Sequence, residues 1–71
     1  MTWKEWAEQF LVAERARKLN MVEHLSSGSV GTNRIVDGQR VDTTSETIEI
    51  NRAHIAELEE ILSEAGVTFD A

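Results

Sequence analysis

The dipeptide Asp37-Gly38 constrains this chain more than any other feature. A two-residue hairpin turn needs positive φ at both central positions, and these two residue types adopt it at little steric cost. The flanking runs, residues 32–36 and 39–44, contain valine, isoleucine and threonine, which suit strands. A loop of that length sets the register, so that Val36 faces Gln39, Ile35 faces Arg40 and Arg34 faces Val41. Val36, Val41 and Thr43 then share an inner side, with Ile35 and Arg40 outside. One hairpin is not stable in water by itself and must lie on other elements.

Those elements read as helices. Thr2-Trp3-Lys4-Glu5 has the form of a capping box, a hydroxyl at the N-cap and a carboxylate three residues on that can reach back to its amide. From there to Leu25 neither glycine nor proline intervenes, which predicts one long helix over about 2–26. Gly28 suits the left-handed position that ends it. Its apolar pattern breaks in the middle. Trp3, Trp6, Ala7 and Phe10 share a face early and Met21, Val22 and Leu25 share one late, but Glu14, Arg17 and Lys18 interrupt them. The break implies two uses, a C-terminal part that closes the core and an N-terminal part that does something else.

A second helix is expected over about 47–65. Ile48, Ile55 and Leu62 recur at heptad spacing, Leu58, Ile61 and Ala65 widen that face, and most glutamates turn outward. Its start is ambiguous, because Ile48-Glu49-Ile50 alternates like a strand and Asn51 would make a good N-cap. Gly66 ends it, and residues 66–71 form a short tail in which Val67 and Phe69 have no obvious core position. The predicted fold is a single α+β domain over 1–71, two antiparallel helices with one β-hairpin packed against them.

Composition narrows the function. With 71 residues the core is thin and stability marginal without a staple or partner. Cysteine is absent, which excludes disulfides and thiolate metal sites, and His24 and His54 lie on different segments. No metal or cofactor is expected. Glu5 and Glu8 interrupt any apolar run near the N-terminus, so neither a signal peptide nor a membrane span is expected. A net charge of −6 opposes general binding to phosphate backbones. The charge is uneven: Lys4, Arg15, Arg17 and Lys18 balance the acids before Gly28, whereas after Asn51 Arg52 stands against Glu57, Glu59, Glu60, Glu64 and Asp70.

No residue set suits catalysis. The helical glutamates read as a solvated face, and a chain this short has little room for the dry cleft that splits the pKa values of a carboxylate pair. Ser26, Ser27 and Ser29 lack a nucleophile-elbow context, and Gly28, Gly31 and Gly38 lack the lysine and helix of a phosphate loop. Trp3, Trp6 and Phe10 are different. The first helix would run about 36 Å and the second about 28 Å, so the aromatics overhang their partner helix. An exposed apolar patch of that kind marks an association surface. The basic cluster Arg15, Arg17 and Lys18 reads first as salt bridging with Glu14 and neighbouring acids.

From about Val22 to Leu58 the chain resembles the phage head–tail joining protein W family, called gpW. The resemblance rests on Leu25 and Gly28 at the helix end, Asp37-Gly38 at the turn, Arg40-Val41 leaving it, and Ile55-Ala56-Glu57-Leu58-Glu59 in the second helix. It implies a structural, non-enzymatic head-completion protein, made in the host cytoplasm and incorporated into the virion. Such a protein joins the portal vertex, helps retain packaged DNA and forms the platform for the next connector or tail protein. It implies a monomer in solution and a ring when assembled. The first helix here starts earlier than the family's, adding Trp3 and Trp6, and the tail is short and acidic. Docking contacts are therefore expected from Trp3, Trp6, Phe10, Val67 and Phe69, with Arg34 and Arg40 as hairpin contacts. A small acidic inhibitor of a host protein is the alternative, and a DNA-contacting module using Arg34 and Arg40 fits the charge poorly.

Overall fold

A computed structural model describes residues 1–69, so Asp70 and Ala71 of the expected tail lie outside the described residues. Helix α1 spans Trp3–Ser27, strand β1 Asn33–Val36, strand β2 Gln39–Asp42 and helix α2 Thr44–Glu64. This is the expected α+β order, with two antiparallel helices joined through a hairpin that packs against them.

Local chemistry sets most of the boundaries. The Thr2 hydroxyl accepts the Glu5 amide at 3.1 Å and donates to the Glu5 carboxylate at 3.0 Å. The carboxylate thus takes the hydroxyl hydrogen rather than the Thr2 amide, a variant of the expected box. At the other end Gly28 sits at φ 81°, and both its amide and that of Ser29 donate to the His24 carbonyl. Asp37 and Gly38 have φ values of 49° and 79°, the pair of left-handed conformations the tight turn needs. The strand register is the expected one, Arg34 opposite Val41, Ile35 opposite Arg40 and Val36 opposite Gln39.

Helix α2 begins at Thr44, three residues before the expected Thr47, and Ile48-Glu49-Ile50 is helical rather than extended. Asn51 is no N-cap. It lies inside the helix, where its side-chain amide donates to the Thr47 carbonyl at 2.8 Å. The earlier start is held from outside the helix. Asp42 Oδ1 accepts the Thr44 amide at 2.9 Å, while Thr43 supplies no side-chain cap. At the far end the Gly66 amide donates to the Ser63 carbonyl and the Val67 amide to that of Leu62. Those crossed bonds stop the helix and turn the tail back.

Threonines fasten the hairpin at its base. The Thr32 hydroxyl lies 2.8 Å from that of Thr47 and accepts from that of Thr43 at 3.0 Å, while the Thr32 amide donates to Thr44 Oγ1 at 3.1 Å. A hydroxyl can both donate and accept, so the four residues form a chain of bonds between the start of the hairpin and the first turn of α2. Beyond this base the ribbon is exposed along both strands. Val41 at 37% is better covered than Ile35 at 64%, in keeping with an inner and an outer side.

The core is a narrow seam. Among the described residues Leu25, Ile55 and Leu62 are its buried apolar side chains, Leu62 completely so, and Arg15 is buried as well. On α1 the covered positions include Leu11, Arg15, Lys18, Val22 and Leu25, and on α2 Ile48, Asn51, Ile55, Leu58 and Leu62. Both sets alternate steps of three and four, the period that keeps one helical stripe facing its partner. Ile61 and Ala65, expected on that face, are exposed: Ile61 sits one position off the seam, and Ala65 is the C-cap, past the last turn of α2. The molecule extends 48 × 23 × 18 Å with a radius of gyration of 15.2 Å. A compact chain of this length would have a radius of gyration of about 11 Å.

Candidate protein interface

Trp3, Trp6 and Phe10 project from the first turns of α1. At 3.6 residues per turn these positions fall within about 60° of one another around the helix. The rings stack in sequence, Trp3 on Trp6 at 5.2 Å between centroids and Trp6 on Phe10 at 5.6 Å, with interplanar angles of 15° and 14°. They form a short ladder whose members are 79%, 48% and 47% exposed in chain order. Stacking covers one face of Trp3 and of Phe10 and engages Trp6 from both neighbours, and the remaining area is in water.

The ladder is uncovered because α2 does not reach it. Arg15 Nε and Nη2 both bond Glu59 Oε2, at 2.9 and 2.8 Å, which aligns those two positions across the seam. From Glu59 to the end of α2 at Glu64 the helix advances about 7.5 Å, or five residues. It therefore stops level with about Phe10, and the turns carrying Trp3 and Trp6 extend past it. Phe69 does not fold over the ladder. Its ring lies 4.5 Å below the Arg15 guanidinium, on another side of α1.

The tail, for which no core position was expected, lies against α1. Val67 and Phe69 are half-buried against α1. Val67 closes one wall of an open groove of about 370 Å³ whose other walls are Glu5, Glu8, Gln9, Val12, Ala13 and Ala16. The two tail residues thus pack on their own chain instead of standing clear for a partner. Arg34 and Arg40 do not converge either. Their register positions put them on opposite faces of the ribbon, with Arg34 4.0 Å from Glu46 and Arg40 beside an open polar hollow with Asp42 and Thr44. The basic cluster is likewise dispersed: Arg17 pairs with Glu14 on the surface, whereas Arg15 enters the seam.

Charge tuning in the molecule is local and exposed. The Thr44 hydroxyl, and then its amide, hold the Asp42 carboxyl below its ordinary value against a smaller effect of desolvation. A hydrogen bond from Arg17, with the positive charge of Arg17 and Lys18, does the same for Glu14, again against some desolvation. Both carboxyls serve helix ends or surface pairs. Among the described residues no three His, Cys, Asp or Glu side chains gather where they could hold a metal ion, and no helix is long and apolar enough to cross a membrane.

The exposed surface is large for the chain's mass. An 8.0 kDa compact monomer exposes about 4,450 Å² by the usual mass scaling, whereas this chain exposes 5377 Å². The difference, roughly 900 Å², is spread over an elongated molecule in which the ribbon, the ladder and both helix surfaces are exposed. No family model, curated protein or solved structure matches the chain.

Proposed function

We propose that this chain is a non-enzymatic assembly protein of the phage head–tail joining type, acting at the portal vertex as a ring subunit between portal and the next connector. The observation that carries the reading is the aromatic ladder, three large rings held in water on a helix end that its own fold leaves uncovered. The helix–hairpin–helix order and the gpW-like residues, Gly28, Asp37-Gly38 and Ile55 to Glu59, support the reading. The mechanism is ordering coupled to assembly. A thin-seamed monomer docks its ladder, and binding to the native state stabilises the fold by mass action. Retention of packaged DNA follows from plugging the vertex with protein, which suits a chain of net charge −6 better than direct phosphate contact.

The test combines Trp3→Ala with Trp6→Ala. Because both side chains are exposed, the double variant melts like the unaltered chain, but it fails to enter particles and fails to decorate purified portal from the same genome in negative-stain images. Normal incorporation by a variant of unchanged stability would remove the ladder from the mechanism. The acidic outer face of α2, with Glu57, Glu60 and Glu64 exposed, favours one second reading, an inhibitor that covers a basic host surface. A chain that ignores portal and binds such a protein through those glutamates would establish that reading instead.

A further inference from the structure

We infer that the groove beside Val67 is a docking site for a partner segment that carries an apolar side chain next to a lysine or arginine. The groove lies roughly 120° around α1 from the aromatic ladder, so the inference goes beyond the connector reading and does not rest on it. Its basis is the order of side chains along the groove. Glu5 and Glu8, from the first two turns of α1, stand at one end. Val12, Ala13 and Ala16, from the next two turns, form the floor at the other, with Val67 of the tail as a wall. The acidic and apolar ends are therefore offset along the helix axis, by about 11 Å between their mean positions. The wall is built in advance, because the bond from the Val67 amide to the Leu62 carbonyl fixes where the tail turns back.

Charge complementarity selects the occupant. The floor side chains carry no polar atom, so what enters there is apolar. A volume of about 370 Å³ suits a side chain and its neighbours rather than a whole helix. At the acidic end both carboxylates are lightly engaged. Glu8 meets Lys4 at 3.8 Å, an exposed i,i+4 pair of the kind that contributes little. Glu5 accepts the Thr2 hydroxyl. A carboxylate has sites for several hydrogen bonds, so both keep capacity toward an incoming ammonium or guanidinium. The net charge of −6 adds a long-range attraction of the same sign. An acidic segment of equal shape would set like charges against the two glutamates, and the groove rejects it on that ground.

The test uses the full-length chain and two short blocked peptides, Leu-Ala-Leu-Lys-Lys and Leu-Ala-Leu-Glu-Glu, alike in their apolar part and opposite in charge. Methyl resonances of Val12, Ala13, Ala16 and Val67 report occupancy of the groove. They should shift with the lysine peptide, which binds about tenfold more tightly than the glutamate one, the ratio that two exposed charge pairs supply. Added salt should reduce that preference on the unaltered chain. Two charge variants, checked by circular dichroism, separate the groove from the net charge. Glu5→Gln with Glu8→Gln keeps the capping form at Glu5 and should bring the two peptides to parity. Glu57→Gln with Glu60→Gln removes the same charge from the outer face of α2 and should leave the preference in place. Equal losses in the two variants would reduce the effect to bulk attraction and overturn the proposal. So would shifts that fall on the ladder or the ribbon, equal binding of the two peptides to the unaltered chain, or binding of neither. The Trp3→Ala, Trp6→Ala chain should bind the lysine peptide normally, so failure of the connector reading and failure of the groove are told apart.

Discussion

Arg15 occupies a seam position that an aliphatic side chain would ordinarily fill. Its guanidinium is buried, with Glu59 accepting two of its hydrogen bonds and the Phe69 ring against it. Removing one member of such a pair leaves the other poorly solvated, and the cost scales with how buried the survivor is. Glu59 is partly exposed and can recover water, so Arg15→Ala should cost about 2 kcal/mol, near the value of a charged hydrogen bond. Arg15→Met should cost less, because it refills the seam without a charge to desolvate. Urea midpoints of the two variants check the order, and equal losses would mean that the lost bonds to Glu59, not packing, set the effect. Asp42 makes a second prediction at this scale. Its carboxyl is held below the ordinary value, so its contribution to folding is present above the unfolded pKa and fades as pH falls through the lowered folded one. The Thr44 amide resonance should titrate at that lowered pH and lose the transition in Asp42→Ala, with the first turn of α2 fraying.

At the scale of elements, the caps and the turn illustrate what a sequence can disclose. Gly28 takes φ 81° with nothing within 4 Å of where a Cβ would stand, so the burden of a side chain there is conformational alone. Gly28→Ala should therefore cost about 1 kcal/mol, the strain of a left-handed alanine, with Gly28→Asn losing less. Thermal midpoints of the two variants test this, and a larger loss for asparagine would point to a clash. Gly28, Thr2 and Asp37-Gly38 were legible because each acts on backbone within a few residues. The start of α2 was misplaced because Ile48-Glu49-Ile50 alternates like a strand and Asn51 has the form of an N-cap. The residue that holds the first turn is instead Asp42, through the Thr44 amide. The Thr32–Thr47 hydroxyl contact that ties that turn to the hairpin base forms only after the ribbon folds back. Arg15 was read with Arg17 and Lys18 as a basic cluster bridging Glu14 and neighbouring acids, whereas the three-four spacing of Leu11, Arg15, Lys18, Val22 and Leu25, matched on α2, was the signal that it belonged to the seam. The tail was misread as free because nothing local tells Phe69 that a guanidinium lies within reach.

For the molecule as a whole, the ratio of seam to surface governs behaviour. Three buried apolar side chains among the described residues and a 48 Å length leave little to resist local opening. Amide exchange should be slowest around Leu25, Ile55 and Leu62 and fast in the turns bearing Trp3 and Trp6, which no second helix covers. A partner that grips those turns acts on a loosely held segment, and its binding energy appears as stability of the native state. At a hundred times its dissociation constant that gain is about 2.7 kcal/mol. For a domain of this size it should raise the thermal midpoint by about 10–20 °C. The Trp3→Ala, Trp6→Ala chain should melt like the unaltered protein alone and gain nothing from added portal. If portal bound the unaltered chain without moving its midpoint, docking and ordering would be separate events. The uncovered rings would then be a contact surface that leaves the fold behind it no firmer than before.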